Sequence, residues 1–377
     1  MVNMDLSSYR GKRVFITGHT GFKGSWLAIW LHHLGADVYG YSLPPPTTPS
    51  NYTLSDVHGL LSGETIADIR DNKSLQQALQ AADPDVVFHL AAQPLVRRSY
   101  EIPCETFEVN VVGTSRLLDA VRIRNKTCAV VCVTSDKCYE NREQVWGYRE
   151  KDPMGGNDPY SASKGASELL IASYRHSFFN PEALADHGIQ LASARAGNVI
   201  AGGDWAPDRI IPDIMRSFLA DSAIPIRNPN AVRPWQHVLD PLSGYLSLAG
   251  AMMQRPCSKW CTGWNFGPIS GSEATVAQLV EHFIEHWGSG SWQNCGSPEQ
   301  PHEAKFLRLC IDHALSDLEW HPHWQWQTAV TRTVSWYKSV LSQKTHARHA
   351  CETDIETYEQ LSNTLAAPSL TTNRHTA

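Results

Sequence analysis

The sequence predicts an α/β fold in which helices cover both faces of a doubly wound parallel sheet. Short apolar segments alternate with helical patterns, and the first apolar segment leads through a glycine-rich turn into an apolar helix. The predicted strands cover residues 12–16, 37–41, 85–90, 129–134 and 189–194, and the predicted helices cover residues 25–34, 74–81, 110–122 and 160–175. Alternating strands and helices of this kind indicate a parallel sheet that is buried on both faces.

Length and composition are those of an ordinary globular protein. The 377 residues suffice for one large domain or two closely joined ones, and 42% hydrophobic residues supply a core.

The formal charge is −6 without any Lys/Arg-rich block, so we expect no nucleic-acid partner. The longest apolar runs are far shorter than the ~20 residues that cross a bilayer, so we expect no membrane segment. Residues 1–10 lack the pattern of a secretory signal, which predicts a cytoplasmic protein.

The nine cysteines do not form a recognisable metal-binding pattern. Their number is odd, and the sequence contains no CxxC pair and no matching Cys/His quartet. Cys257 and Cys261 have the spacing of half a zinc site, but structural zinc needs four ligands. We therefore predict no bound metal and interpret most cysteines as small buried hydrophobic residues in a reducing compartment.

Three glycines lie in the turn between the first strand and the first helix. Gly18, Gly21 and Gly24 form a GxxGxxG pattern within TGHTGFKG. Glycines let the backbone approach a pyrophosphate, and the helix N-terminus beyond them supplies amide donors and a favourable dipole. A tight turn alone would need only one or two glycines. The spacing therefore favours a dinucleotide site and is typical of the extended short-chain dehydrogenase form of the Rossmann fold.

The position that usually binds the adenosine ribose carries no carboxylate. The second strand ends in YGYSL, which offers only Ser42, and no arginine follows that would hold a 2′-phosphate. The choice between NAD and NADP thus stays open at this position. Asp68 and Ile69 lie where such folds place an adenine contact, although Asp68 could instead be a carboxylate that caps its own loop.

Tyr160 and Lys164 form a YxxxK motif on one predicted helix. Residues four apart project from the same helical face, so the two side chains lie close together. A lysine cation near a phenol lowers its pKa from ~10, which would make Tyr160 a usable base near neutral pH. The position of the motif downstream of the glycine loop favours a catalytic role over chance occurrence.

Three polar residues follow a buried strand just upstream of this helix. Ser135, Asp136 and Lys137 lie in TSDKCYEN, at the carboxyl end of a strand, where open parallel sheets bind their ligands. Ser135 can share a proton with Tyr160. Asp136 and Lys137 could act as an acid/base pair, or could be an ordinary surface ion pair of the loop.

A change of composition suggests the domain organisation. We predict a dinucleotide-binding Rossmann domain at residues 1–196, after which Gly, Pro and Trp become frequent and the elements shorter. Residues 197–341 are predicted to form mainly a smaller C-terminal substrate-binding lobe, with some chain returning to the large domain. Residues 342–377 are polar, with a helical rhythm only at residues 355–365, so most of this tail is predicted to be flexible.

The motifs together resemble a known family. TGHTGFKGSWL, HLAAQPLVRRSY, TSDKCYEN, DPYSASK, ARAGNVIAGGDWAPDRIIPD, RPWQHVLDPL and PHEAKFLRL resemble bacterial CDP-glucose 4,6-dehydratases, a branch of the nucleotide-sugar dehydratases. The resemblance covers residues 11–338, and TSDKCYEN and GGDWAPDRIIPD are specific to this branch. Ala201 stands where a third glycine is expected. The resemblance implies a tightly held NAD, CDP-glucose as substrate, and a homodimer formed through large-domain helices, including the one that carries Tyr160.

The resemblance also implies a role for individual residues. Ser135, Tyr160 and Lys164 would be the dehydrogenase triad, and Asp136 and Lys137 the elimination pair. The implied cofactor contacts are Gly18, Gly21, Phe22, Lys23, Gly24, Asp68, Ile69, Leu90, Ala91, Ala92, Asn110, Thr134, Tyr160 and Lys164. The implied substrate contacts are Gln93, Ser135, Asn198, Arg209 and Arg233. Trp205 and Trp235 are interpreted as core residues rather than base-stacking platforms.

The implied reaction is an oxidation at C4, an elimination of water across C5 and C6, and a reduction at C6 on a retained NAD. Tyr160 would take the proton of the 4-hydroxyl, a neutral Lys137 would take the C5 proton, and a protonated Asp136 would donate to the departing 6-hydroxyl. A 4-epimerase, a decarboxylase of nucleotide-linked uronic acids, or a dehydratase for another nucleoside diphosphate sugar would share the triad. A redox-sensing NAD-binding regulator would typically have lost the Tyr or the Lys.

Overall fold

The computed structural model describes residues 6–296 and 306–366. The helices are α1 (Phe22–His33), α2 (Asn51–Leu54), α3 (Asn72–Ala82), α4 (Val96–Glu101), α5 (Pro103–Phe107), α6 (Gly113–Arg124), α7 (Pro159–Ser177), α8 (Leu184–His187), α9 (Ile210–Leu219), α10 (Leu239–Gln254), α11 (Val276–Trp287), α12 (Asp312–Asp317), α13 (Trp326–Leu341) and α14 (Ala347–Ala366). The strands are β1 (Arg13–Thr17), β2 (Asp37–Ser42), β3 (Gly63–Ile66), β4 (Val86–His89), β5 (Cys128–Val133), β6 (Ile189–Arg195), β7 (Val199–Ile200), β8 (Ile224–Ile226), β9 (Val232–Arg233), β10 (Gln236–His237), β11 (Gly263–Asn265), β12 (Ala274–Thr275) and β13 (Trp292–Asn294).

A seven-stranded parallel sheet forms the centre of the molecule. Its strand order is β3-β2-β1-β4-β5-β6-β11, and every neighbouring pair is parallel. The doubly wound fold class predicted from the sequence is thereby confirmed. The strand order reverses between β1 and β4, and in such sheets ligands bind outside the carboxyl ends of the strands at this point. Both the glycine loop, after β1, and residues 90–92, after β4, lie there.

Helices cover both faces of the sheet because successive strand residues point to opposite sides. Val14 and Ile16 belong to the core on the side of α1 and α10, whereas Phe15 belongs to the core on the side of α3, α6 and α7. Within the described residues 6–296 and 306–366, no helix combines the length and the apolar character that crossing a membrane requires.

The chain after β6 builds short strand pairs and also returns to the large sheet. The pairs β7/β10, β9/β12 and β8/β13 lie outside the sheet. By contrast, β11 extends the sheet, with Gly263 opposite Ser193, and α10 packs against β5. The exact boundary near residue 196 stays a prediction.

The C-terminal segment differs from the expectation of a mostly flexible tail. Residues 347–366 form α14, which packs against α1 and α13, and Cys351, Ile355 and Tyr358 are buried. These three side chains recur at helical spacing within a polar sequence, so a narrow apolar stripe is enough to dock the helix. Residues 367–377 of the predicted tail lie outside the described residues.

Candidate active site

The glycine loop fits tightly between β1, α1 and the chain after β4. Gly18 has a φ of +81°, and a Cβ on it would lie 2.7 Å from the amide nitrogen of Ala91. A Cβ on Gly24 would lie 2.1 Å from the carbonyl oxygen of Gly18. Side chains are therefore excluded from the cradle in front of the N-terminus of α1. This geometry fits the diphosphate of a dinucleotide, which needs close approach to backbone amides.

The ribose end of the predicted cofactor site is held by polar contacts within the protein. Ser42, at the end of β2, shares a 2.8 Å hydrogen bond with the hydroxyl of Thr20. The Asp68 carboxylate accepts hydrogen bonds from the backbone and the guanidinium of Arg70, which lower the pKa of Asp68. The structure therefore gives Asp68 the loop-capping role that was its alternative interpretation. Its contact with adenine stays a prediction.

Helix α7 places Tyr160 and Lys164 on one buried face. The Asp158 side chain caps the helix by accepting from the amide of Ser161 at 2.9 Å, and Pro159 occupies the first turn. The backbone amide of Tyr160 donates to the hydroxyl of Ser99 at 3.1 Å. The cap and this contact fix where the helical face that carries Tyr160 and Lys164 begins.

The pKa of Tyr160 is shifted in the opposite direction to the one predicted from the YxxxK motif. Burial raises the pKa of Tyr160 to about 12, against the opposing effects of hydrogen bonding with Ser135 and of the charge of Arg209. Asp136 raises it further. Burial also lowers the pKa of Lys164 to about 8. In the protein alone, the lost hydration of the phenolate outweighs the nearby cations, so Tyr160 needs a further positive charge to ionise.

Ser135 and Asp136 lie beside Tyr160 at the end of β5. The Ser135 hydroxyl donates to the Asp136 carboxylate at 2.9 Å and accepts from the amide of Lys137 at 3.2 Å. Ser135 and Asp136 are buried, whereas Lys137 is only half-buried. The structure thus brings Ser135, Asp136 and Tyr160 together, whereas the side chain of Lys137 is partly exposed. The role of Lys137 as the elimination base stays a prediction.

The predicted substrate residues Arg209, Asn198 and Arg233 differ in how closely the structure connects them with Tyr160 and Asp136. Arg209 pairs with Asp204 at 3.1 Å, and it lies near enough to Tyr160 for its charge to lower the pKa of that phenol. Asn198 has a left-handed φ of +48°, and Arg233 precedes Pro234, a residue of the cleft beside Asp136.

The amide of Gln93 is used within its own loop. Its nitrogen donates to the hydroxyl of Thr106 at 2.9 Å, and its oxygen accepts from the amide of Leu95 at 2.6 Å. A substrate contact for Gln93 stays a prediction.

Two predicted cofactor residues, Asn110 and Lys23, interact with other groups of the site. Asn110 lies in a π-helix at Glu108–Val112, a distortion that is frequent at functional sites, and its amide donates to Ser163 of α7 at 2.8 Å. Burial and the charge of Arg209 lower the pKa of Lys23 to about 8, while Asp136 opposes the shift. Lys23 was predicted only as a cofactor contact of the glycine loop, yet its ammonium group lies in the same charge cluster as Asp136.

Two features of the site were not predicted. A cleft beside Asp136 is also lined by Gly197, Gln236, Glu273 and Arg308, with Arg308 and Glu273 paired at 3.2 Å. Arg308 lies in the PHEAKFLRL motif, for which the sequence predicts no specific role. A Cβ on Gly197 would lie 1.9 Å from the Asp136 carboxylate, so this glycine leaves room for the carboxylate.

A cluster of three side chains that could ligate a metal lies on α11. Among residues 6–296 and 306–366, His282, Glu285 and His286 bring their ligand atoms within 4.8 Å of one another. None of the three belongs to the catalytic cluster. The absence of a catalytic metal stays a prediction.

Comparison with protein families matches residues 15–333 to the family described as GDP-mannose 4,6 dehydratase. The chain is 50% identical over 337 residues to a CDP-glucose 4,6-dehydratase of Salmonella typhimurium, covering 89% of this chain and 93% of that relative. It is 28% identical over 335 residues to a dTDP-glucose 4,6-dehydratase of Streptomyces antibioticus, covering 86% of this chain and 92% of that relative.

Solved structures with the same fold include a dehydratase and an epimerase. A dTDP-glucose 4,6-dehydratase from Streptomyces venezuelae, solved with NAD bound, superposes with a TM-score of 0.73 at 24% identity, covering 87% of this chain and 97% of that one. A UDP-glucose 4-epimerase from Thermotoga maritima superposes with a TM-score of 0.72 at 19% identity, covering 87% and 99%. At these identities the likeness concerns the fold.

Proposed function

The chain belongs to the GDP-mannose 4,6-dehydratase family, and we propose that it is an NAD-dependent hydro-lyase that converts CDP-D-glucose to CDP-4-dehydro-6-deoxy-D-glucose. The 50% identity to a CDP-glucose 4,6-dehydratase supports this substrate. The observation that carries the reaction type is the contact of Ser135 with Asp136, next to Tyr160. An acid beside the oxidising tyrosine has a task in dehydration and none in epimerisation.

The cofactor would be held by the glycine cradle, the N-terminus of α1 and the chain after β4. When bound, NAD supplies the hydride acceptor, returns the hydride in the last step, and brings the positive charge of its nicotinamide ring. The raised pKa of Tyr160 fits a site that becomes competent only when that charge is present.

In the oxidation, Tyr160 removes the proton of the 4-hydroxyl, and Ser135 shares that proton through its hydroxyl. Arg209 is a cation that favours the phenolate. We assign the same role to Lys164, which lies one helical turn after Tyr160 on α7. All the groups except Arg209 are buried, which strengthens their interactions and excludes water.

In the elimination, the 4-ketone acidifies the proton at C5. Lys137 takes this proton, and Asp136 protonates the 6-hydroxyl, so that one molecule of water leaves and a C5–C6 double bond forms. Asp136 is buried against Ser135, whereas Lys137 is partly exposed. This fits an acid held in place and a base that moves to the sugar.

The nucleotide end would be bound by the C-terminal lobe. Arg209 and Arg233 suit phosphate through their planar, charged donors. Asn198 follows the carboxyl end of β6, at the sheet edge where ligands of such folds bind. Arg308 is a further cation at the cleft beside Asp136. The choice of cytidine over other nucleosides rests on the similarity to the Salmonella enzyme.

The proposal includes a homodimer in the cytoplasm. Exposed apolar side chains lie on neighbouring helices of the large domain, with Phe107 on α5 and Leu169 on α7, and with Val112 between α5 and α6. Such a patch fits an interface between two copies. Leu169→Arg should halve the mass measured by light scattering, and an unchanged mass would contradict this interface.

All nine cysteines are unpaired, which fits a reducing compartment such as the cytoplasm.

The decisive experiment is an isotope transfer. CDP-glucose deuterated at C4 is incubated in a mixture with unlabelled CDP-glucose, and the product is analysed by mass spectrometry. The proposal predicts deuterium in the C6 methyl group without exchange between molecules. Stoichiometric accumulation of NADH would indicate an ordinary dehydrogenase, and a C4 epimer would indicate an epimerase.

Variants of the catalytic cluster separate the two halves of the reaction. Lys137→Met should form NADH and oxidised sugar without the 6-deoxy product, because loss of one acid/base group typically costs a factor of ~10²–10⁴ in rate. Tyr160→Phe should form no NADH. Lys151→Met, which changes an exposed lysine of the same loop region, is the matched control and should dehydrate at the parent rate. Dehydration by Lys137→Met at the parent rate would move the base to another residue.

A further inference from the structure

One buried carboxylate next to the catalytic residues has no role in the reaction described above. Glu168 lies on α7, four residues after Lys164 and eight after Tyr160. Side chains at this spacing lie on one face of a helix, so Glu168 continues the row formed by the YxxxK motif. It is only 4% exposed.

The Glu168 carboxylate joins α7 to the carboxyl ends of two strands. It accepts hydrogen bonds from Thr134, at the end of β5, and from the hydroxyl of Ser193 on β6 at 2.7 Å. Arg195, also on β6, donates to it at 2.8 Å. Because Thr134 immediately precedes Ser135, this network holds the helix of Tyr160 against the strand that ends in the elimination residues.

Arg195 is itself held by further acceptors. Its guanidinium donates to the hydroxyl of Tyr139 at 2.6 Å and to the carbonyl of Glu150 at 2.9 Å. Both members of the Glu168–Arg195 ion pair are buried. Buried ion pairs are often replaceable by apolar residues without loss of stability, so stability alone does not account for a charge at this position.

The charge of Glu168 acts on Lys164. Burial by itself would raise the pKa of Glu168. The charge and hydrogen bond of Arg195 and the hydrogen bonds of Thr134 and Ser193 outweigh burial and lower the pKa below its usual value, so the carboxylate is ionised. Burial lowers the pKa of Lys164 to about 8, and Glu168 is the strongest effect that opposes this shift. Without the carboxylate, Lys164 would lose its proton at a lower pH.

We propose that Glu168 is a positioning residue for the oxidation, whose carboxylate keeps Lys164 charged and holds Thr134 and Arg195 against the catalytic helix. This inference rests on the proposed role of Lys164 as the cation that favours the Tyr160 phenolate. A neutral lysine cannot serve that purpose, so the proton on Lys164 limits the reaction at alkaline pH.

The test compares Glu168→Gln with the double variant Glu168→Gln/Arg195→Met. Glu168→Gln leaves a buried guanidinium without its counter-ion and can fail to fold, whereas the double variant removes both charges. In both variants, the alkaline limb of the pH profile of kcat should move to lower pH by about one unit or more. A shift of this size is typical when an opposite charge at short range is lost. If the single variant does not fold, the double variant alone provides the test.

Chemical labelling supplies a readout independent of turnover. Competitive acetylation with a trace of acetic anhydride, followed by peptide mass spectrometry, measures the titration of Lys164 directly. The proposal predicts that Lys164 becomes reactive at lower pH in both variants. Glu168→Asp, which keeps the charge, should restore most of the parent titration.

Ser193→Ala is the matched control, because it removes one hydrogen bond to Glu168 but keeps the ion pair. It should leave the pH profile and the titration of Lys164 unchanged. An unchanged Lys164 titration in a folded double variant, or an equal shift in Ser193→Ala, would overturn the proposal. Lys164→Met tests the underlying function separately: if it oxidises substrate at the parent rate, the assumed role of Lys164 fails whatever Glu168 does.

Discussion

Two buried carboxyl groups in different regions of the molecule have pKa values shifted in opposite directions. Glu168, on α7, pairs with Arg195, and its pKa is lowered although burial by itself would raise it. Asp240, in the first turn of α10, is equally buried, and burial raises its pKa to about 7 despite several hydrogen bonds. Burial alone therefore does not set the charge of a carboxyl group, and a contacting cation reverses its effect.

The partners of Asp240 are neutral. Its carboxyl group accepts from the backbone amide of His323 at 2.8 Å and from the hydroxyl of Tyr358 at 2.8 Å. Its second oxygen has no hydrogen-bond partner among the residues that the structure describes. Asp240 thus connects α10 to the loop before α13 and to α14. Glu168 thus has a charged partner and stays ionised, whereas Asp240 joins structural elements through neutral partners and takes up a proton more readily.

The largest expected effect comes from taking the cation away from Glu168. Arg195→Met should lower the free energy of unfolding by about 3–5 kcal/mol, because it leaves an uncompensated buried charge. Guanidinium denaturation measures this loss. Arg216→Met, which removes an exposed partner of Asp213, is the control and should cost less than about 1 kcal/mol. A similar small loss for both would show that Glu168 takes up a proton instead and resembles Asp240.

The second prediction concerns pH. A carboxyl group whose pKa is raised in the folded protein contributes stability below its unfolded pKa and loses it as pH rises through the folded value. For Asp240, and for Asp354 with its pKa also raised by burial to about 7, the free energy of unfolding should fall between about pH 4 and 7. The slope is at most about 1.4 kcal/mol per pH unit for each group.

Asp240→Asn, which mimics the protonated form, should reduce this slope, and adding Asp354→Asn should flatten it further. Chemical denaturation at several pH values with constant NAD measures the slope. Glu168 should act in the opposite sense, since its lowered pKa means that its contribution is lost as pH falls below about 4.5. If the free energy of unfolding rose between pH 5 and 7 as steeply in the parent protein as in Asp240→Asn, the raised pKa assigned to Asp240 would be refuted.

The smallest expected effect tests the neutral donor. Tyr358→Phe removes the hydroxyl that donates to Asp240 and should cost about 1–2 kcal/mol, the range for losing a hydrogen bond to a buried polar group. Because the ionised form of Asp240 loses a donor, its pKa should rise further. Tyr100→Phe, at an exposed tyrosine, is the control and should change the unfolding midpoint hardly at all.

The sequence predicted the elements around the site closely. The predicted strands at residues 37–41 and 189–194 are β2 and β6 with ends shifted by a residue, and the predicted helix at residues 160–175 is α7. These elements follow from local patterns: continuous apolar runs, glycine spacing and a Pro at a helix start. β3 and β11 were missed, because short strands at a sheet edge carry little periodicity and are stabilised by pairing with their neighbours.

The chemistry of the site was predicted in part. Tyr160, Ser135 and Asp136 lie together, as the motifs indicated, because each follows or starts a well-defined element at the carboxyl edge of the sheet. The direction of the Tyr160 shift was wrong, since the motif shows the neighbouring lysine but not how deeply the phenol is buried.

The sequence by itself determined the parallel sheet, the glycine cradle and the spacing of Tyr160 and Lys164, because these depend on neighbours within a few residues. Only the tertiary structure decided which buried groups are charged and whether the C-terminal segment is docked. Those outcomes depend on partners far away in the chain: Arg195 is 27 residues from Glu168, and Tyr358 is 118 residues from Asp240. Desolvation and pairing of this kind exist only after the chain has folded.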